Sequence, residues 1–220
     1  MNTVQRLRKD SDHIWKKILQ LPFVLELYRG DLPLEKFKFY ILQDYHYLIT
    51  AIKNFGIIMS KAPTVKAMRE VADILQLEAQ SEFDGYKDFL KQIGHTIQEA
   101  AEVKPISVSL SYSSFLVSTS SLNSYPEAIT AVLPCFWSYA EIAEIHKDKL
   151  SSNKNHLYKD WANAYLSESY LHLVEKIKNL VNEAGKDFPY HKLKEVFANA
   201  SRYEYLFWDA VYHQKKWLDS

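Results

Sequence analysis

Apolar residues recur along most of this chain at steps of three and four, the spacing of one helical face. Val4, Leu7, Ile14 and Ile18, with Trp15 beside them, place a first helix over residues 3–20. A short helix follows, opened by Pro22 and closed by Gly30. Proline suits a first helical turn because its missing N–H would have no partner there, and glycine suits the exit because it tolerates a left-handed backbone. Phe37, Tyr40, Ile41, Asp44, Tyr47, Leu48 and Ala51 mark a long helix over residues 34–60, ended by Lys61-Ala62-Pro63. Thr64 can cap the next, which runs to Ile93 and stops at Gly94. A helix over residues 126–150 contains Pro134, which removes one ladder bond and predicts a kink just before Cys135. Two more helices cover residues 157–183 and 190–216.

Residues 105–126 read differently. The 22 positions hold nine serines and no charge. Ile106, Val108, Leu110 and Tyr112 alternate as in a strand, whereas Leu110, Ser113, Ser114 and Val117 suit a helix. A lone strand would find no partner in this sequence, so a helix is expected.

Composition narrows the class. Five glycines and seven prolines in 220 residues are too few for a turn-rich sheet protein. With no internal repeat, linker or low-complexity tail, the expectation is an all-α, single-domain helical bundle over residues 1–220. The 27 basic and 27 acidic residues give zero net charge, which argues against a nucleic-acid partner. The single cysteine permits no intrachain disulfide and fits a reducing cytoplasm. The start is polar and charged, and no run of roughly 20 predominantly apolar residues is apparent, so no membrane partner is expected.

A few residues break the pattern in ways that carry chemistry. Cys135 follows a helix-breaking proline in a charge-free stretch, with the phenol of Tyr139 one turn on. It is either an inert core thiol or a nucleophile that needs help to ionise. Asp44 lies among Tyr40, Ile41, Leu42, Tyr45, Tyr47 and Leu48, where a carboxylate is costly unless bonded. It either bonds a neighbouring phenol or holds the amine of a ligand. Glu204 stands among Tyr203, Tyr205, Leu206, Phe207 and Trp208. If buried there, its pKa rises toward neutrality, as a general acid requires. Tyr112 and Tyr165 matter if they meet Cys135 in space. A competing metal reading uses two i,i+4 pairs, Glu168 with His172 and Asp209 with His213, together with Glu141.

Four stretches together resemble the TenA/thiaminase II family. They are Leu21-Pro22-Phe23-Val24 running into Gly30-Asp31-Leu32-Pro33-Leu34-Glu35-Lys36-Phe37, then Tyr40-Ile41-Leu42-Gln43-Asp44-Tyr45-His46-Tyr47-Leu48, then Leu133-Pro134-Cys135-Phe136-Trp137-Ser138-Tyr139-Ala140-Glu141-Ile142, and Tyr203-Glu204-Tyr205-Leu206-Phe207-Trp208-Asp209. The resemblance implies a haem-oxygenase-like helical fold without haem or other cofactor, and a cytosolic homotetramer. It implies hydrolysis of 4-amino-5-aminomethyl-2-methylpyrimidine to the hydroxymethyl pyrimidine and ammonia, in thiamin salvage, and cleavage of thiamin to the same pyrimidine and its thiazole. Carried over position by position, Cys135 matches the nucleophile and Glu204 the acid that protonates the ring. Asp44 matches the carboxylate on the ring nitrogen and amino group, and Tyr47 the phenol bonded to the sulfur. Tyr112, Tyr139 and Tyr165 match pocket tyrosines, Tyr165 through Tyr158, Trp161 and Tyr165. Where many members carry a histidine shortly after a glutamate on the fourth helix, this chain reads Glu78-Ala79-Gln80-Ser81-Glu82-Phe83, which weakens a metal site. The alternatives are a non-catalytic pyrimidine-binding or regulatory protein and a metal-dependent oxidase of the same fold.

Overall fold

A computed structural model describes residues 1–217 of the chain. Twelve α-helices and two short irregular turns make up its regular structure, with no strand among the described residues. Where one helix was expected at the start there are two, α1 (Thr3–Asp10) and α2 (Asp12–Ile18). The chain bends at buried Ser11, and the bend turns Trp15 inward, where its indole N–H donates to Ser201 Oγ at 3.0 Å. Helix α3 (Pro22–Arg29) has the expected ends: Pro22 opens it and Gly30 leaves it at φ 91°. Asn153 packs where a Cβ on Gly30 would sit and donates to the carbonyls of Leu27 and Tyr28 at 2.9 and 3.2 Å, so the turn admits little else.

Helix α4 (Leu34–Lys61) is the long central rod. Thr64 caps α5 (Val65–Leu77) through the N–H of Ala67 at 3.1 Å. Helix α5 then widens into one π-helical turn, Glu78–Glu82, before α6 (Phe83–Gln92). A π-turn inside a helix often marks a functional site. Helix α7 (Ile97–Glu102) is an addition to the sequence reading, held by a capping box between Thr96 and Glu99. The serine-rich segment is helical, as α8 (Ser107–Leu122).

Helix α9 (Tyr125–His146), continued by a 3₁₀ turn at Lys147–Ser151, runs through the core. The residues Tyr125–Ser151 are, by length and composition, apolar enough to cross a membrane, which corrects the expectation that no segment is. Of its most apolar stretch of 18 residues, 72% is buried inside the fold, the arrangement of a core helix whose apolar neighbours are other helices. It packs against α8, against α11 (Glu168–Ala184) and against α12 (Tyr190–Tyr212), while α4 packs against α5 and α8. The expected helix over 157–183 is also two, α10 (His156–Ala164) and α11. Ser167 ends the first and caps the second, accepting from the N–H of Tyr170 at 3.2 Å.

Candidate active site

The four helices around the core each contribute one face to a common chamber. Asp44 and Tyr47 lie one turn apart on α4, and Cys135 and Tyr139 one turn apart on α9. Helix α8 supplies Tyr112 and α12 supplies Glu204. Tyr165 stands at the very end of α10, where the break before Ser167 turns its ring inward beside Trp161 and Tyr139, at 4.7 and 4.8 Å between centroids. All seven residues singled out from the sequence border two adjoining spaces that share a wall. An outer cavity of about 220 Å³ lies between α4, the π-turn, α6 and the start of α11. It shares Asp44, Glu78, Glu82, Tyr165 and Tyr170 with a narrow middle chamber that reaches Cys135. The middle chamber in turn shares Asp44, Tyr47, Cys135 and Tyr139 with an innermost space bounded by Tyr112 and Glu204.

Hydrogen bonding organises the inner end. Tyr112 donates to the Glu204 carboxyl at 2.6 Å, and its ring stacks on Tyr203 at 5.2 Å. Cys135 and Ser138 lie near the Glu204 carboxyl and Tyr47 lies near the sulfur, each favouring the charged form of its neighbour, while Ser138 Oγ donates to the Cys135 carbonyl at 3.3 Å. Tyr40 and Tyr139 pair through their hydroxyls at 3.5 Å. Tyr170 donates to the carbonyl of Phe136 at 3.1 Å, tying α11 to α9 next to the thiol.

Burial sets the protonation states. Glu204 is 2% exposed, and burial lifts its pKa from 4.5 to about 7 against the opposing bonds from Tyr112, Cys135 and Ser138. Burial likewise pushes the Cys135 thiol well above its ordinary range, and the Glu204 charge adds to this while the Tyr47 bond opposes it. The thiol is therefore neutral at rest, within reach of a carboxyl that can take its proton. Asp44 is raised well above the carboxylate range by burial, then by Glu82 and Glu204. Asp44, Tyr47 and Cys135 keep some accessible surface, and that surface faces the cavity. Burial also keeps Tyr47, Tyr112, Tyr139 and Tyr165 protonated, so their hydroxyls are donors.

The site is thus an aromatic-lined interior containing a thiol, a carboxyl near neutrality and further carboxyls, its inner spaces of about 30 and 10 Å³ lying beside the larger outer cavity. A profile of the TENA/THI-4/PQQC family matches residues 8–214. The chain belongs to that family. An aminopyrimidine aminohydrolase of Helicobacter pylori is 32% identical over 215 residues, which cover 96% of this chain and 99% of that one. The aminopyrimidine aminohydrolase of Bacillus subtilis is 27% identical over 226 residues, covering 100% and 94%. The TenA homologue protein from P. horikoshii OT3 superposes with a TM-score of 0.94 at 40% identity, over 98% of this chain and 100% of that one. A domain with a heme oxygenase-like fold from Shewanella denitrificans, at 16% identity and a TM-score of 0.79 over 96% and 92%, shares the fold.

In this member of the TENA/THI-4/PQQC family the residues of the competing metal reading stay apart. Arg8 clamps Glu141 at 3.0 and 3.2 Å, Lys215 holds Asp209 at 2.6 Å, and His213 bonds the Asp209 carbonyl at 2.8 Å. Glu168 and His172 are exposed. Among the described residues, no three His, Cys, Asp or Glu side chains converge as ligands would. Three chamber residues were not singled out from the sequence. Glu78 and Glu82 come from the π-turn, and Tyr170 opens α11. The Glu78 to Phe83 stretch had drawn notice only for a missing histidine. Its position between apolar Leu77 and Phe83 was the available sign that these carboxyls turn inward.

Proposed function

We propose that this chain is an aminopyrimidine aminohydrolase acting on 4-amino-5-aminomethyl-2-methylpyrimidine, releasing the hydroxymethyl pyrimidine and ammonia in thiamin salvage. The observation that carries the reading is the convergence of Cys135, Glu204 and Asp44 in one enclosed aromatic chamber. Full-length similarity to two aminopyrimidine aminohydrolases supports the substrate class. Asp44 holds the amidine edge of the ring, and Tyr112, Tyr139 and Tyr165 line its faces and rim.

A neutral aminopyrimidine is a poor electrophile. Glu204 takes the Cys135 proton and delivers it to a ring nitrogen, so the thiolate meets an activated ring carbon. Tyr47 bonds the sulfur and keeps the thiolate accessible in a site that otherwise disfavours its charge. The adduct expels the leaving group from the methylene, water adds to the electron-poor alkene, and the thiol departs with its proton restored. One hard displacement becomes several easier steps. The same route cleaves thiamin, with the thiazole as leaving group. The test is to offer the purified protein the aminomethyl pyrimidine and thiamin in parallel and to follow products by chromatography and ammonia release. Hydroxymethyl pyrimidine from the first compound is the expected result. A ligand that binds and is recovered unchanged, with no ammonia, would mean a binding protein instead.

A further inference from the structure

The mechanism above leaves Glu78 and Glu82 without a task, and their positions are costly. Glu78 is 4% exposed, and its Oε1 has no hydrogen-bond partner in the fold. A buried carboxyl oxygen without a partner is retained only when something else compensates it. Both side chains border the outer cavity and the middle chamber, so they stand between the two. The π-turn puts them there, since its extra residue rotates this stretch toward the chamber. Asp44 faces them from α4. Among the described residues, no Lys, Arg or His borders these three spaces. The wall is built to meet a positive charge that the protein does not supply.

We infer that Glu78 and Glu82 form the leaving-group subsite and bind the substrate's primary ammonium, accepting its N–H bonds. The inference rests on the proposed function and adds a specificity element to it. Cys135 and Glu204 close the inner end of the site, so a ring lying between Asp44 and Cys135 directs its methylene substituent toward the π-turn. The bound amine stays an ammonium, which is its departing form. When the C–N bond breaks, its electron pair goes to nitrogen and ammonia leaves with its three hydrogens, so this step needs no proton from the protein. Water then supplies the hydroxyl at the methylene, and ammonia exits through the outer cavity. Burial raises Glu78 well above the carboxylate range and Glu82 to about 7, and a cation placed between them reverses that cost.

The test uses the full chain carrying Cys135→Ser, so that the substrate can be titrated with chemistry slowed, and compares it with the same chain also carrying Glu78→Gln and Glu82→Gln. Calorimetry measures the aminomethyl pyrimidine, an ammonium at neutral pH, and the hydroxymethyl pyrimidine, which lacks that charge. The expected outcome is at least about a tenfold loss of affinity for the aminomethyl compound and less than about a threefold change for the hydroxymethyl one, as for lost bonds to a charged group. Equal changes for both ligands, or none for either, overturn the assignment and leave the proposed function standing. A Cys135→Ser parent that binds neither compound overturns the proposed function and this inference with it. Thermal unfolding checks the fold, and the substitutions should not lower the melting temperature, because each replaces a buried carboxyl that is costly to ionise there with a neutral amide of the same shape.

Discussion

In the proposed mechanism Cys135 and Glu204 share their protons, and that sets the pH range of the reaction. Below about 7 both are protonated, and no thiolate forms without losing a proton to solvent. Above that value the pair holds one proton, which can sit on sulfur or carboxyl and pass to the ring. Activity, read as kcat/KM, therefore rises as pH increases through about 7, with Glu82 titrating in the same range. Glu204→Gln cannot relay the proton and should lose at least about 100-fold in kcat/KM, the lower range for general acid–base groups. A smaller loss, measured with the aminomethyl pyrimidine at pH 7, would remove Glu204 from the relay. These two residues, with Asp44, were legible because each breaks its surroundings: a carboxyl amid aromatics, or a thiol after a helix-interior proline; Tyr47, one phenol among several, was marked only by the family resemblance. Glu78 and Glu82 did not stand out in that way. They stand in a polar run with Gln80 and Ser81, and the π-turn directs them into the chamber.

At the scale of elements, the helical order was readable while several junctions were not. Period and punctuation placed α3, α4, α9 and α12 close to their observed spans. The breaks at Ser11 and Ser167 were hidden because apolar spacing continues across them, and a buried serine or a serine N-cap leaves little trace in a periodic pattern. Those breaks matter for the site. The second sets Tyr165 at a helix end, where its ring is free to turn toward Tyr139, and begins α11 so that Tyr170 reaches the carbonyl of Phe136. The helical period of α9 survives Pro134, which has no N–H to offer the preceding turn, and the next residue is the thiol.

Across the whole molecule, zero net charge conceals an uneven distribution. Asp44, Glu78, Glu82 and Glu204 share one interior with no basic lining residue, so the fold is least stable when they are charged. The folded pKa values of Glu204 and Glu82, about 7, lie above their ordinary 4.5. The folded state thus binds more protons between those limits, and the stability it gains is complete below about 4.5 and is lost as pH rises through 7. For Glu204 the difference is up to about 3 kcal/mol. Urea unfolding at pH 5 and pH 8 should show wild type losing stability across that interval and Glu204→Gln losing less; parallel curves would show that Glu204 is ionised in the fold throughout. What the molecule keeps in exchange is a carboxyl that can carry a proton beside a thiol. The most direct measurement of that claim is ammonia released from the aminomethyl pyrimidine by wild type and by Cys135→Ser under identical conditions. Attack by the Cys135 sulfur predicts steady release from wild type and a loss of at least about 1,000-fold in the serine variant, as when a triad member is removed. Equal rates in the two would contradict it.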